Sequence, residues 1–141
     1  MFQKKLKFST VGEGQVINIS DQVSRVVSES KVWTGFANIF VTGSTAAITT
    51  IEYEEGVIRD FIRALSMLAP DTADYAHNSR WGDGNGRSHV KSSCIGTSIT
   101  VPVVEGQLAC GTWQQVVLVE LDVNAPRERT VIITVEGDQK S

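Results

Sequence analysis

The sequence predicts an α+β domain, a largely antiparallel β-sandwich carrying two or three helices. Three observations predict it. Segments with period-two alternation or β-branched richness outnumber those with helical spacing. Consecutive strands are joined by short turns such as Glu105-Gly106, which suits antiparallel pairing better than βαβ crossovers. One late segment, Val116-Val117-Leu118-Val119, is apolar on both faces, as a central strand covered on two sides requires. A chain of 141 residues without repeat, low-complexity tract or Pro/Ser-rich linker is expected to form one domain over residues 1–141.

The elements follow in order. Gln3 to Phe8 alternate charged and apolar residues, as a half-exposed strand does, and Val16-Ile17-Asn18-Ile19 reads as a short second strand. Ser20 and Asp21 can then cap a helix that puts Val23, Val26 and Val27 on one face. Gly35 to Thr42 and Ala46 to Tyr53 are strand-like, with Gly43-Ser44 as the turn or bulge between them. The clearest helix runs from about Gly56 to Leu68, with Val57, Ile58, Phe61, Ile62, Leu65 and Leu68 at helical spacing and Pro70 just beyond. Asp71 to Gly86 is polar, lacks any hydrophobic period and reads as a long surface loop. A short helix opens near Arg87 or Ser88 and runs to Ile95, ending at Gly96. Ser98 to Val104, Thr112 to Leu121 and Arg129 to Glu136 complete the strands.

Composition narrows the function. With 41% hydrophobic and 21% charged residues the chain is neither disordered nor collagen-like, and a net charge of -3 speaks against a general nucleic-acid binder. No apolar run reaches membrane-spanning length and Met1 to Lys7 does not resemble a signal peptide, so no membrane association and a cytoplasmic location are expected. Cys94 and Cys110 form no C-x-x-C pair, which leaves zinc-ribbon and thioredoxin-like chemistry unsupported.

The densest chemistry lies in Arg80-Trp81-Gly82-Asp83-Gly84-Asn85-Gly86-Arg87-Ser88-His89-Val90-Lys91. Three glycines permit positive φ and a close approach to a ligand, and the helix start that follows favours an anion. Asp83, Asn85, Gly86, Arg87, Ser88 and Lys91 are therefore candidate ligand-binding residues for a phosphate or carboxylate. The competing reading is a glycine-rich connector with solvated charges. The string is neither a P-loop nor a calcium loop: no G-x-x-x-x-G-K-[ST] exists, and Arg87 and Cys94 stand where calcium ligands belong. His77 and His89 flank the loop and are the candidate proton-transfer groups. As zinc ligands they would need two partners from Asp83, Glu52 or Cys94, so no metal is assigned. Glu52 and Glu120 interrupt apolar strands, where a carboxylate is either paired, for instance Glu120 with Arg129, or catalytic. Trp113 reads as core packing.

Taken together, Gly43-Ser44-Thr45-Ala46-Ala47-Ile48-Thr49-Thr50-Ile51-Glu52, the run Ser88 to Ser98, and Gly106 followed by Gly111-Thr112-Trp113-Gln114 with Glu120 resemble the YjbQ family, over nearly the whole chain. The resemblance implies a YjbQ-like mixed fold with a β-sandwich, a homotrimer with sites near subunit interfaces, and a weak thiamine-phosphate synthase activity. That transferase reaction joins a pyrimidine diphosphate to a thiazole phosphate. It also implies functional positions at Glu52, His77, Asp83, His89, Lys91, Gln114, Glu120 and Arg129. Gly43 and Arg87 stand where some members carry histidine, which weakens a histidine-rich metal site here and tilts the chain toward binding an anion. The leading expectation is a pocket for a small phosphorylated metabolite. Arg87 and Lys91 would hold the phosphate, His89 or His77 would move protons, and Glu52 or Glu120 would orient them. Any Mg²⁺ would be carried in with a diphosphate substrate. A metal-assisted hydrolase using His77 and His89, or a non-catalytic metabolite-binding module, are the alternatives.

Overall fold

A computed structural model describes all residues, Met1–Ser141. In chain order the elements are β1 (Phe2–Ser9), β2 (Val16–Asn18), α1 (Ser20–Ser30), β3 (Val32–Thr42), β4 (Ala46–Glu52), α2 (Glu55–Leu68), α3 (Ala76–Trp81), α4 (Gly86–Ile95), β5 (Ser98–Val104), β6 (Gln107–Leu108), β7 (Gln114–Glu120) and β8 (Glu128–Gln139). The strands form a five-stranded sheet, β1-β8-β3-β5-β6, and a three-stranded sheet, β2-β7-β4. Every pairing is antiparallel. The class is α+β as expected, but with four helices rather than two or three. The additional helix is α3, inside the segment read as loop. With six residues it is too short to display a hydrophobic period.

Strand β7 sits at the centre of the small sheet, and its two apolar faces are used differently. Val116 and Leu118 join a core of 17 buried residues shared with α1 and the inner face of the large sheet. Val117 and Val119 join a second core, with Val16, Ala47, Leu65 and Leu121, against which Ile58, Phe61 and Ile62 of α2 pack. The small sheet is thus a middle layer between the large sheet and α2. A fully buried side chain such as Leu118 contributes about 1.5–3 kcal/mol relative to remaining in water.

Local chemistry fixes the ends. Ser20 is the first residue of α1 rather than its cap. Its N–H donates to Asn18 Oδ1 (3.0 Å) and its hydroxyl accepts from the Val116 N–H (2.8 Å), tying the helix to β7. Glu54 caps α2 by accepting from the Val57 N–H (2.7 Å), and backbone N–H donors hold its carboxyl below the usual range. Strand β8 runs three residues past its predicted end because Gly35 and Gly137 let β3 and β8 press together. A Cβ on either glycine would collide with the opposing backbone.

Candidate functional site

The residues between α2 and α4 are folded back rather than splayed. Gly82 and Gly84 take positive φ, which turns the chain sharply after α3. Gly86 is required by contact: a Cβ there would meet the Tyr75 Cβ at 2.6 Å, and the Gly86 N–H donates to Asn78 Oδ1 (2.9 Å). One of the N–H groups expected to be open at the start of α4 is therefore already used. Two hydroxyls fasten α4 to the sheet beneath it. Ser92 Oγ donates to the Ala46 carbonyl (2.6 Å), and Ser88 Oγ accepts from the Val123 N–H (3.3 Å). Ser88 is fully buried and serves this attachment, which leaves it out of reach as a ligand donor.

Arg87 and Lys91 are one helical turn apart and share a face of α4. Arg87 forms a bidentate pair with Glu13, with Nε and one terminal nitrogen each 2.9 Å from a carboxylate oxygen. That pairing raises the guanidinium's pKa further above its ordinary value. Lys91 is only 7% exposed, yet its Nζ lies 3.8 Å from Glu13 and makes no hydrogen bond within the chain. Both cations open on a cavity of about 230 Å³ walled by Glu13, Asp71, Ile62, Leu65 and Ser66. Glu13, the carboxylate that closes this cleft, was not among the expected site residues. The available signal was its place between Gly12 and Gly14 in a loop joining two strands.

His89 projects from a different side of α4. Two positions beyond Arg87 is a rotation of about 200° about the helix axis. Its ring lies 4.6 Å from that of His77, centroid to centroid, and His77 Nδ1 is 3.2 Å from Asp83. With its carboxamide turned so that nitrogen faces the carboxylate, Asn85 donates to both Asp83 oxygens at 2.9 and 3.1 Å. Asn124 Nδ2 donates to the Asp83 carbonyl (3.2 Å). No group of three or more His, Cys, Asp or Glu side chains is arranged to hold a metal ion, so the residues present do not fit a resident metal.

The remaining expected residues separate. Glu120 is fully buried in a bidentate pair with Arg129, at 2.9 and 2.6 Å, and also accepts from the Thr10 hydroxyl (2.7 Å) and the Asp122 N–H (3.0 Å). Burial would push its carboxyl upward, but these donors more than offset that and hold it low. Asp122 is held low likewise, by the Asn124 N–H, the Thr45 hydroxyl and Arg127. The pairing of Glu120 with Arg129 anticipated from the sequence is thus formed. Glu52 and Gln114 face each other at the opposite end of the small sheet from Glu120, about 20 Å away at a strand's rise per residue. Glu52 is exposed there beside Tyr53 and Trp113, so within one protomer neither it nor Gln114 joins the histidines or the cations. Trp113 itself is 73% exposed, not core.

This fold and these residues have relatives. A protein-family model described as UPF0047 protein YjbQ-like matches residues 4–138. A UPF0047 protein of Methanothermobacter thermautotrophicus is 34% identical over 137 residues, covering 97% of this chain and 93% of its own. The UPF0047 protein YugU of Bacillus subtilis is 33% identical over 136 residues, covering 95% and 98%. A crystal structure of a YbjQ-like protein of unknown function from Sulfolobus solfataricus superposes with a TM-score of 0.90 at 32% identity, over 97% of each chain. The match in sequence and architecture along nearly the full length makes this chain a member of the YjbQ-like UPF0047 family.

Proposed function

We propose that this protein binds the phosphate group of a small cytoplasmic metabolite in the cleft between the Gly12–Gly14 loop, α2 and α4. The observation that carries the reading is Lys91. Its side chain is nine-tenths buried, while its ammonium opens on the cavity 3.8 Å from Glu13 and without a hydrogen bond in the chain, where a phosphate oxygen would give it a close charged partner. Arg87 supplies the second cation once Glu13 yields one of its contacts. The cavity, about 230 Å³, is smaller than the ~300–1,000 Å³ of typical small-molecule pockets, which suits a phosphorylated end group with the rest of the metabolite outside.

Transfer chemistry of the thiamine-phosphate synthase kind needs a proton-transferring group near the leaving diphosphate, and both histidines lie round the helix from the cations. Within a protomer the cleft therefore supports binding. A transferase reaction would draw a further group from a neighbouring protomer, as in a homotrimer with interfacial sites. The uncovered outer face of the large sheet, with Phe36, Phe40 and Val104 exposed, favours such association. Any Mg²⁺ would arrive bound to diphosphate.

Calorimetric titration with inorganic phosphate and pyrophosphate tests the binding. Arg87→Ala and Lys91→Met should each weaken it by about tenfold or more, close to 1.4 kcal/mol, with unchanged circular dichroism. Equal affinity in wild type and both variants overturns the reading. Light scattering tests the assembly: a three-protomer mass supports it and a monomer removes it.

A further inference from the structure

The Arg129 guanidinium is only partly used by its buried neighbours. Its Nε and Nη2 donate to Glu120, and Nη2 also donates to the Thr45 carbonyl (3.1 Å) and hydroxyl (2.8 Å). Nη1 makes no hydrogen bond, although the residue is only 5% exposed. It points at the β3–β4 turn, where a Cβ built on Gly43 would lie 3.0 Å from it. Gly43 has a φ of +143°, and the N–H groups of Gly43 and Ser44 also make no hydrogen bond within the chain. Nη1 is not sealed from solvent and Gly43 and Ser44 are exposed, so all three donors face the surface at this turn without a partner in the chain. A side chain at position 43 would stand against Nη1, and glycine provides none.

We propose that this turn is a binding subsite for a carboxylate group, held by Arg129 Nη1 and the Gly43 and Ser44 N–H groups. It is separate from the Arg87–Lys91 cleft and does not depend on it. The charge balance selects the ligand class. Arg129 is paired with Glu120, and Arg127 with Asp122 at 2.7 Å, so the surroundings carry no excess positive charge to favour a dianion. A planar monoanion with two oxygens matches one guanidinium edge beside backbone donors.

The test is a titration of the ¹⁵N-labelled protein with sodium acetate, with sodium chloride at equal ionic strength as reference. Acetate should shift the Gly43 and Ser44 amide resonances and the Arg129 side-chain resonance saturably, in the millimolar range, and leave the Arg87 side-chain signal in place. Inorganic phosphate should give a weaker response at the turn. Gly43→Ala, which covers Nη1, should raise the half-saturating acetate concentration by about tenfold or more. A linear, chloride-like response in the wild-type protein overturns the proposal, and this needs no variant should the strained alanine impair folding. So does a stronger response to phosphate than to acetate, or an unchanged acetate response in folded Gly43→Ala. Movement of the Arg87 signal with phosphate reports on the other cleft alone.

Discussion

Two arginine–carboxylate pairs flank the same end of the small sheet, and they differ in what surrounds them. Around Arg129 and Glu120 both carboxylate oxygens are taken up by the guanidinium, a threonine hydroxyl and a backbone N–H. Around Arg87 and Glu13 the pairing geometry is the same, but a cavity adjoins it and a second cation, Lys91, stands without a hydrogen bond. Identical pairing thus takes up the carboxylate completely in one place and leaves it beside an open cleft in the other. The difference lies in how fully the carboxylate's acceptors are occupied.

The largest effect should come from unbalancing the closed pair. Glu120→Gln leaves Arg129 buried without its counter-ion and should lower the unfolding free energy by about 3–5 kcal/mol in urea titrations. A loss under about 1 kcal/mol would mean the two regions are not different in kind. Lys91→Met should behave differently, removing a charge that has only a loose 3.8 Å pairing with Glu13 while keeping its volume. We expect unchanged or increased stability together with the loss of phosphate binding, and a loss of about 2 kcal/mol or more would place Lys91 among the structural residues.

Acid sharpens the contrast further. Glu120 and Asp122 are held below their ordinary values, so the unfolded chain takes up their protons first. Their contribution is complete above about pH 4, where the unfolded carboxyls titrate, and is lost as pH falls through the folded values. Glu120→Gln should flatten that acid limb in pH-dependent unfolding, whereas Glu13→Gln should not. The smallest stability change belongs to Glu13→Gln itself, about 1 kcal/mol or less, because its pair is partly solvated. Its signature should instead be tighter phosphate binding by calorimetry, since a competing anion has been removed.

The sequence carried most of the architecture because the strands and α2 repeat their apolar residues with the period of the element. The two-faced run of β7 even announced the middle layer. Two kinds of feature were not legible. Short elements such as α3 and β6 have too few residues to display a period, and Trp113 was misread because a lone aromatic does not reveal which side of the chain is covered. Within the site, the stretch from Asp83 to Lys91 was recognisable by its glycines and cations, yet its partition into two sides of α4 depends on helical phase. Glu13, 74 positions before Arg87, becomes its partner only through the fold. Glu52 is a candidate by its place in an apolar strand and Gln114 by resemblance, and strand direction carries both to the far end.

The two serines beneath α4 decide which part of the cleft can respond. Directional hydrogen bonds to the Ala46 carbonyl and the Val123 N–H resist sliding or rolling of that helix, in a way that apolar packing alone would not. The Arg87 and Lys91 backbone is accordingly a fixed anvil. Adjustment to an arriving anion falls to the opposite jaw, where Gly12 and Gly14 bracket Glu13 and allow it to swing aside.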